Sequence, residues 1–491
     1  MSGAQQQQQV AQPAQGMRRI PIPLESYEKP EKIISAKRLL NFYAEQEPAD
    51  ARSAAALIPT PGLVPTGNVL GAGPVLALNS DMPGAIYGIA GTHAYRVTSA
   101  GVTDLGAVGT AAGSDFAYNL MPTIAVGVNA AVFCVPPNAF TCNHVATSVN
   151  QIGGTFPGAR SVAYLDGYFV FTSVDLTSNF FSSLLLDPLS YDALDFAFAD
   201  GVPNVLRRVV TVKGELWLIG DKSIEIWYDA GSSGLETTPG TSFFPFRRQS
   251  GGVIQFGAVS MRSCAVADNS LFWVSEQCIV MRSVGYTAKR ISTHAIEEII
   301  RSEGTANIQY ALCYTQLGHT FYCLTYGART LVYDLVTQVW HERSSAADGS
   351  TAWRPNSIAQ VGEQVIFGDS LSGNLIAPNP SVETDMGVSP KRIATLPGIW
   401  ANTRRAFMSR LEVEMEVGGI TPPGTVTLEW SDDGGYNYTG SRTMNAGTTG
   451  DYRGRVFCTR LGSFRQRVLR FSFTHRATVL GVDVDVVGGS W

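Results

Sequence analysis

Short apolar runs separated by tight-turn signals dominate the chain from about residue 70 to 385. Residues 162–171 place Asp166 and Gly167 between two such runs, and residues 209–219 place Lys213 and Gly214 in the same way. Residues 265–274 and 358–367 repeat the arrangement. Two residues able to take positive φ between alternating apolar segments predict a β-hairpin. With Gly84, Asn129, Asp166, Lys213, Asp268, Gly318 and Gly362 as markers, the gaps run from 37 to 55 residues. That is the length of a four-stranded propeller blade. Seven markers predict seven blades, or six if one marker belongs to an irregular insertion.

Other stretches break this rhythm. Tyr333, Asp334, Thr337 and Trp340 follow the order of a kelch-type outer hairpin, in which Asp and Thr close the turn and Trp packs between blades. One helix is predicted near 293–303, an insertion between blades. Thr293 caps it, Ile296, Ile299 and Ile300 form one face, Glu297 and Glu298 sit in the first turn, and Gly304 ends it. After a loop at 378–390, residues 410–417 alternate strictly between apolar and charged. With further strands at 425–430, 467–474 and 479–487, they predict a small antiparallel sandwich. The expected organisation is all-β: an N-terminal extended arm and lead-in segment (1–65), a β-propeller (66–390) and a C-terminal β-sandwich (391–491).

Composition agrees with strands and turns. Charged residues make up 16%, well under the roughly 25% of ordinary soluble domains, and there are 50 glycines. The net charge of −5 shows no basic excess of the kind that grips phosphates. The seven cysteines have no metal-binding spacing and read as buried free thiols, in keeping with a reducing compartment. The Gln-rich start has no basic region leading into an apolar stretch, so no signal peptide is expected. The uncharged run after Phe116 is broken by Pro122, Asn129, Pro136 and Pro137, which excludes a membrane helix.

Candidate chemistry is sparse. Trp430, Ser431, Asp432, Asp433, Gly434 and Gly435 resemble the Asp-box of sialidase-type propellers, a structural turn in which Asp and Ser oxygens hold backbone amides. Two aspartates gather too few oxygens for calcium. The six histidines are scattered, and no nucleophile elbow, zinc-protease helix or phosphate loop is present. The pair Glu297 and Glu298 reads as a solvated helix face. Residues 401–491 hold eleven Arg, no Lys and nine acids, with Arg453, Arg455, Arg460, Arg465, Arg467, Arg470 and Arg476 close together. Arginine without lysine suits bidentate contacts, either ion pairs on a strand surface or a subunit interface, with DNA contact as a third reading. Arg460, Gly462, Arg465, Arg467 and Arg470 are the interface candidates. No catalytic residue, metal or cofactor is expected.

The run Arg38, Asn41, Tyr43, followed by Pro59, Thr60, Pro61, Gly62 and Leu63, resembles the N-terminal signature of packaged-DNA stabilisation proteins. These are the tail hub or nozzle subunits of Salmonella-type short-tailed bacteriophages. Ala44 stands where that family usually has Pro, and Glu45 keeps the acid. The Trp430–Gly435 motif, Arg460 to Arg470, residues 479–484 and the helix at 295–302 resemble family segments in the same order. The resemblance implies a virion tail protein, assembled in the host cytoplasm, that closes the DNA exit channel and retains packaged DNA. It also implies a ring of six copies, with the adaptor below the portal, a fibre or spike, and a needle or plug as neighbours. DNA would pass without specific binding, and no membrane anchor is expected. A sialidase-like enzyme needs Arg and carboxylates gathered at one propeller mouth with a Tyr nucleophile, which the spacing does not give. A glycan-binding propeller is the third reading, since the fold alone does not choose.

Overall fold

Each marked turn joins the first and second strands of a four-stranded unit. The computed structural model describes residues 16–46, 55–80, 84–110, 120–192, 195–231, 244–401, 404–417, 424–447 and 454–489. Asp166 and Gly167 (φ 49° and 96°) and Lys213 and Gly214 (φ 54° and 74°) take the left-handed conformation that two-residue hairpins require.

The four-strand units span 75–107, 123–151, 159–198, 206–254, 265–290, 308–343 and 355–379. Blades one to five and blade seven are six separate sheets, while blade six runs within a ten-stranded sheet. Seven apolar clusters, one between each pair of neighbouring blades, show that the ring has seven members. The last of them packs Leu70, Val75 and Ile86 of blade one against Ala359 and Leu375 of blade seven.

Blade seven supplies only three of its own strands. Its outer strand is Gly62–Val69, paired antiparallel with Asn374–Asn379. The chain therefore closes its ring with a strand from before the first blade. Gly62 opens this closing strand. Gly62 does not take positive φ. The constraint is proximity: a Cβ at Gly62 would stand 2.5 Å from the Thr384 carbonyl oxygen and 2.7 Å from that of Val382.

The sandwich has two sheets. One contains Ala406–Glu416, Thr478–Gly488 and Gly454–Thr459, and the other Arg392–Thr395, Gln466–Phe473, Thr425–Ser431 and Gly440–Asn445. The lead-in segment is built into both. Arg18–Ile20, Phe42–Gln46 and Ala55–Pro59 join the first sheet, and Leu39–Leu40 joins the second. Leu39–Leu40 also pairs with Trp340–Arg343 of blade six, which makes blade six and the second sandwich sheet one continuous sheet.

The charged face of Ala406–Glu416 is only partly solvated. Glu412 and Glu414 are buried, because Arg19 caps Glu414 at 2.7 Å and Arg410 and Arg455 reach Glu412. The helix His294–Glu303 lies where expected, capped by Thr293 and stopped at Gly304 (φ 83°). Its Glu297 is also a correction: the carboxylate is buried, paired twice with Arg290 at 2.7 Å and bonded to the Ser292 hydroxyl. Glu298 reaches out to Lys29 at 3.0 Å. All seven cysteines are free thiols, six of them buried.

Replacing Gly62 by Val forces atoms into the backbone of 382–384, and overpacking of this kind costs at least ~1–3 kcal/mol. The expected outcome for Gly62→Val is a lower thermal midpoint with loss of the ring's cooperative unfolding. Unchanged melting would show that the closing strand has room to spare.

Candidate functional site at the junction of propeller and sandwich

The signature residues of the lead-in segment gather between the two domains. Asn41 is the corner at which the chain leaves one sandwich sheet for the other. It holds φ 58°, a conformation Asn tolerates better than most residues. Its side chain is buried and fully used: the amide nitrogen donates to the Ser344 carbonyl at 2.9 Å and to that of Lys391 at 2.8 Å. Its oxygen accepts from the Ser344 amide at 3.0 Å. Arg38 beside it forks onto the buried Glu342 at 3.0–3.3 Å.

From Asn41 onward, strand alternation sends successive side chains to opposite domains. Phe42 and Ala44 enter the sandwich core, where Phe42 meets Phe473 edge-on at 5.6 Å. Tyr43 enters the core between blades six and seven and packs edge-on against His319 and Phe321. Leu57 and Ile58 on the neighbouring strand divide in the same way. Pro59 ends that strand and is buried, while Thr60 donates from its amide to the Asn41 carbonyl at 3.1 Å. Pro61 then leads into Gly62 and the closing strand.

Buried charge concentrates here. His319 of blade six stands between two carboxylates, Asp334 of its own blade at 2.7 Å and Glu45 of the lead-in strand at 2.8 Å. Burial works to lower the pKa of this imidazole, but the two carboxylates together outweigh it and raise it above the ordinary value of 6.5. Asp334 also accepts from the Val336 amide and the Thr337 hydroxyl, and Trp340 donates to the Ile291 carbonyl of the preceding blade at 2.8 Å. The kelch-like hairpin read from sequence is therefore present. Arg343 is buried with its guanidinium 4.7 Å from the Phe321 ring and 4.8 Å from that of Trp353. Asp385, bonded to the Ser345 hydroxyl at 2.7 Å, is pushed up to about 6 by burial. Burial lowers Arg392 to about 10, although it donates to the Thr474 carbonyl at 2.8 Å.

The Asp-box motif is a turn, as expected. Asp433 accepts from the amides of Tyr436 and Asn437 at 3.0 Å, and Ser431 accepts from the Gly435 amide at 2.8 Å. The Asn437 amide, with the Ser431 hydroxyl and the Asn437 side chain, holds the Asp433 carboxyl down to about 2. Gly434 and Gly435 take φ 83° and 103°, and the lead-in segment packs on them: a Cβ on Gly434 would meet Ile33 and one on Gly435 would meet Ala36. Asp432 pairs bidentately with Arg467 at 2.7 Å, and Arg467 lies over Phe464 and Trp430.

This geometry sorts the arginines. Arg467 is buried in the sandwich, and Arg470 pairs with Glu429 at 2.9 Å while stacking on Tyr438. Both are engaged within the chain, which removes the buried Arg467 from the interface candidates. Arg460 and Arg465 are exposed, and Gly462 (φ 78°) is an exposed turn between them. Arg453 lies outside the described residues. Sequence reading missed His319, Arg343 and Arg392 and gave no role to Glu45, because their partners are hundreds of residues away in several cases and no local spacing marks them.

The propeller's central cavity has a volume of about 680 Å³ and is lined by the first strands of the blades, including Leu78, Tyr164, Arg208, Val210 and Thr211. No group of three or more metal-binding side chains occurs among the described residues, and no described helix is long and apolar enough to cross a membrane.

Comparison with known proteins gives two family matches. Residues 30–377 match the family described as Bacteriophage P22 Gp10, beta-propeller, and residues 392–486 match Bacteriophage P22 Gp10, beta-sandwich. No curated protein matches. Among solved structures, the C-terminal WD40 domain of Sif2 is similar at 10% identity, over 65% of this chain and 99% of that one, with a TM-score of 0.38. PorZ, a surface component of the type-IX secretion system of Porphyromonas gingivalis, is similar at 10% identity, over 77% of this chain and 46% of that one, with a TM-score of 0.36.

The junction has a pH signature. Folding raises the pKa of His319, so its protonated form contributes stability in full below about 6.5, and that contribution is lost as pH rises through the folded-state value. Thermal midpoints of wild type and His319→Gln, measured from about pH 5 to about pH 9, are expected to differ most at the acid end and to converge as pH rises. A constant difference would mean that His319 acts by packing alone.

Proposed function

Because the chain belongs to the bacteriophage P22 Gp10 family of propeller and sandwich proteins, and is therefore a structural protein of the phage virion tail, we propose that it is the hub or nozzle subunit that closes the DNA exit channel after packaging. Six copies form a ring below the portal and its adaptor, assembled in the host cytoplasm, and the ring carries the fibre or spike and the needle or plug. The observation that carries this reading is the double family match, one on each domain.

Retention is mechanical. The net charge is −5, and the arginine-rich end spends Arg467, Arg470 and Arg455 on its own carboxylates. The central cavity of about 680 Å³ has the size of a small-ligand site, ~300–1,000 Å³. The ring reading places the DNA path on the axis between subunits. A structural role also accounts for the Asp-box side chains: Asp433 holds its own turn and Asp432 holds Arg467, which leaves the residues that suggested a glycosidase committed to the fold.

Titration of the purified chain with duplex DNA near physiological salt is expected to show no binding tighter than the roughly 10⁻⁴–10⁻⁶ M of non-specific contact. Particles assembled without it are expected to package DNA and then lose it. Tight binding with a steep salt slope, or full DNA content in particles that lack the chain, would contradict the mechanical account.

A further inference from the structure

Two exposed surfaces of this chain carry opposite charge and similar apolar character, and they sit on different domains. The first is the outer rim of blade three. From Ser161 to Leu206 there is no Lys or Arg, while Asp175, Asp192 and Asp200 are exposed and Asp187 is half-buried within it. Its loop and edge strand expose large apolar side chains: Leu185 at 56%, Leu189 at 55% and Phe198 at 45%. Phe196–Phe198 is the last strand of its sheet and pairs on one side only, with Asn179–Ser182. The Leu186 amide donates to the Gly167 carbonyl at 2.8 Å, which fixes the leucine loop against the blade's inner turn.

The second surface is one end of the sandwich. Trp400 and Phe407 are exposed at 54% and 50%. They lie with Arg404 and Arg405 around a groove of about 340 Å³. Arg465 adjoins it, since its carbonyl accepts from the Ala401 amide at 2.9 Å. Among the described residues, Arg404, Arg405 and Arg465 are exposed and have no carboxylate partner.

Among the described residues of one chain these surfaces lie on separate elements with no pairing between them. The sandwich is fused to blade six through Leu39–Leu40, and blade three lies across the ring. Exposed apolar clusters rimmed by charge mark interaction sites. Aromatic residues and Arg are enriched at interfaces, and complementary charge sets their register. The geometry points to a head-to-tail contact in which the arginine–aromatic groove of one copy takes the acidic, leucine-rich rim of blade three of a second copy. Two different surfaces meeting make a heterologous contact, which propagates and closes into a ring when the rotation suits. The inference rests on the ring reading above and assigns the faces that form it.

The test is disulfide trapping in tails assembled from the full-length chain. Leu185→Cys and Arg405→Cys are introduced together, with Phe198→Cys and Arg465→Cys as a second pair. The control couples Arg405→Cys with Val145→Cys, a site exposed at 83% on blade two. A disulfide forms only where Cβ atoms come within about 4.5 Å. The expected result is a ladder of cross-linked oligomers from at least one designed pair, and none from either cysteine alone or from the control. Rings visible by electron microscopy that yield no ladder from either pair, or that yield it from the control, would overturn the inference while leaving the ring intact. Absence of rings from assembled tails would overturn the ring reading itself.

Discussion

The structure depends on ring closure. A propeller whose blades run in chain order ends with two sheets that must be joined, and an open ring would expose apolar blade faces and unpaired strand edges. Here the joint is made by Gly62–Val69, an N-terminal strand that becomes the outer strand of the last blade. Its neighbours in sequence do more than lead into it. Residues 39–59 are strands of the sandwich and, at Leu39–Leu40, the seam between sandwich and blade six. The segment that closes the ring therefore also attaches the second domain. Asn41 sits at the centre of this arrangement, bonding to backbone on either side of it at Ser344 and Lys391.

This coupling holds the two domains as one body. A flexible linker would let the sandwich swing free of the propeller. A ribbon whose alternate side chains belong to two cores cannot move without exposing Phe42 or Tyr43. The buried polar groups add direction to the apolar packing. The line from Glu45 through His319 to Asp334 and the pair Arg38–Glu342 each tie the lead-in strands to blade six. Arginine dominates the C-terminal domain for the same reason: Arg467 and Arg470 each satisfy a carboxylate while lying over aromatic rings, which a lysine ammonium does less well.

Much of this was legible in the sequence wherever the signal is local. The seven turn markers fall one to a blade, and six of them, all but Asn129, take the positive φ that demands particular residues. The helix caps at Thr293 and Gly304, the Asp433 turn and the hairpin of Asp334, Thr337 and Trp340 are likewise set within a few residues. What depends on distant partners was not legible. Glu297, Glu412 and Glu414 look like solvated carboxylates until Arg290, Arg19 and Arg455 are placed over them. Gly62 looks like a turn glycine until the backbone of 382–384 is brought against it. The strands at 39–46 and 55–59 looked like a lead-in arm because half of each faces one core and half the other, a pattern that resembles neither a surface strand nor a buried one.

Hydrogen exchange followed by mass spectrometry measures this coupling most directly, because amides that open together report one cooperative unit. In the purified chain, the amides of 39–46 and 55–69 should exchange in the same slow step as blade seven and the sandwich strand Thr478–Gly488. If those segments exchange early while blade seven and the sandwich stay protected, the N-terminal strands are an appendage and not the joint that holds the two domains as one body.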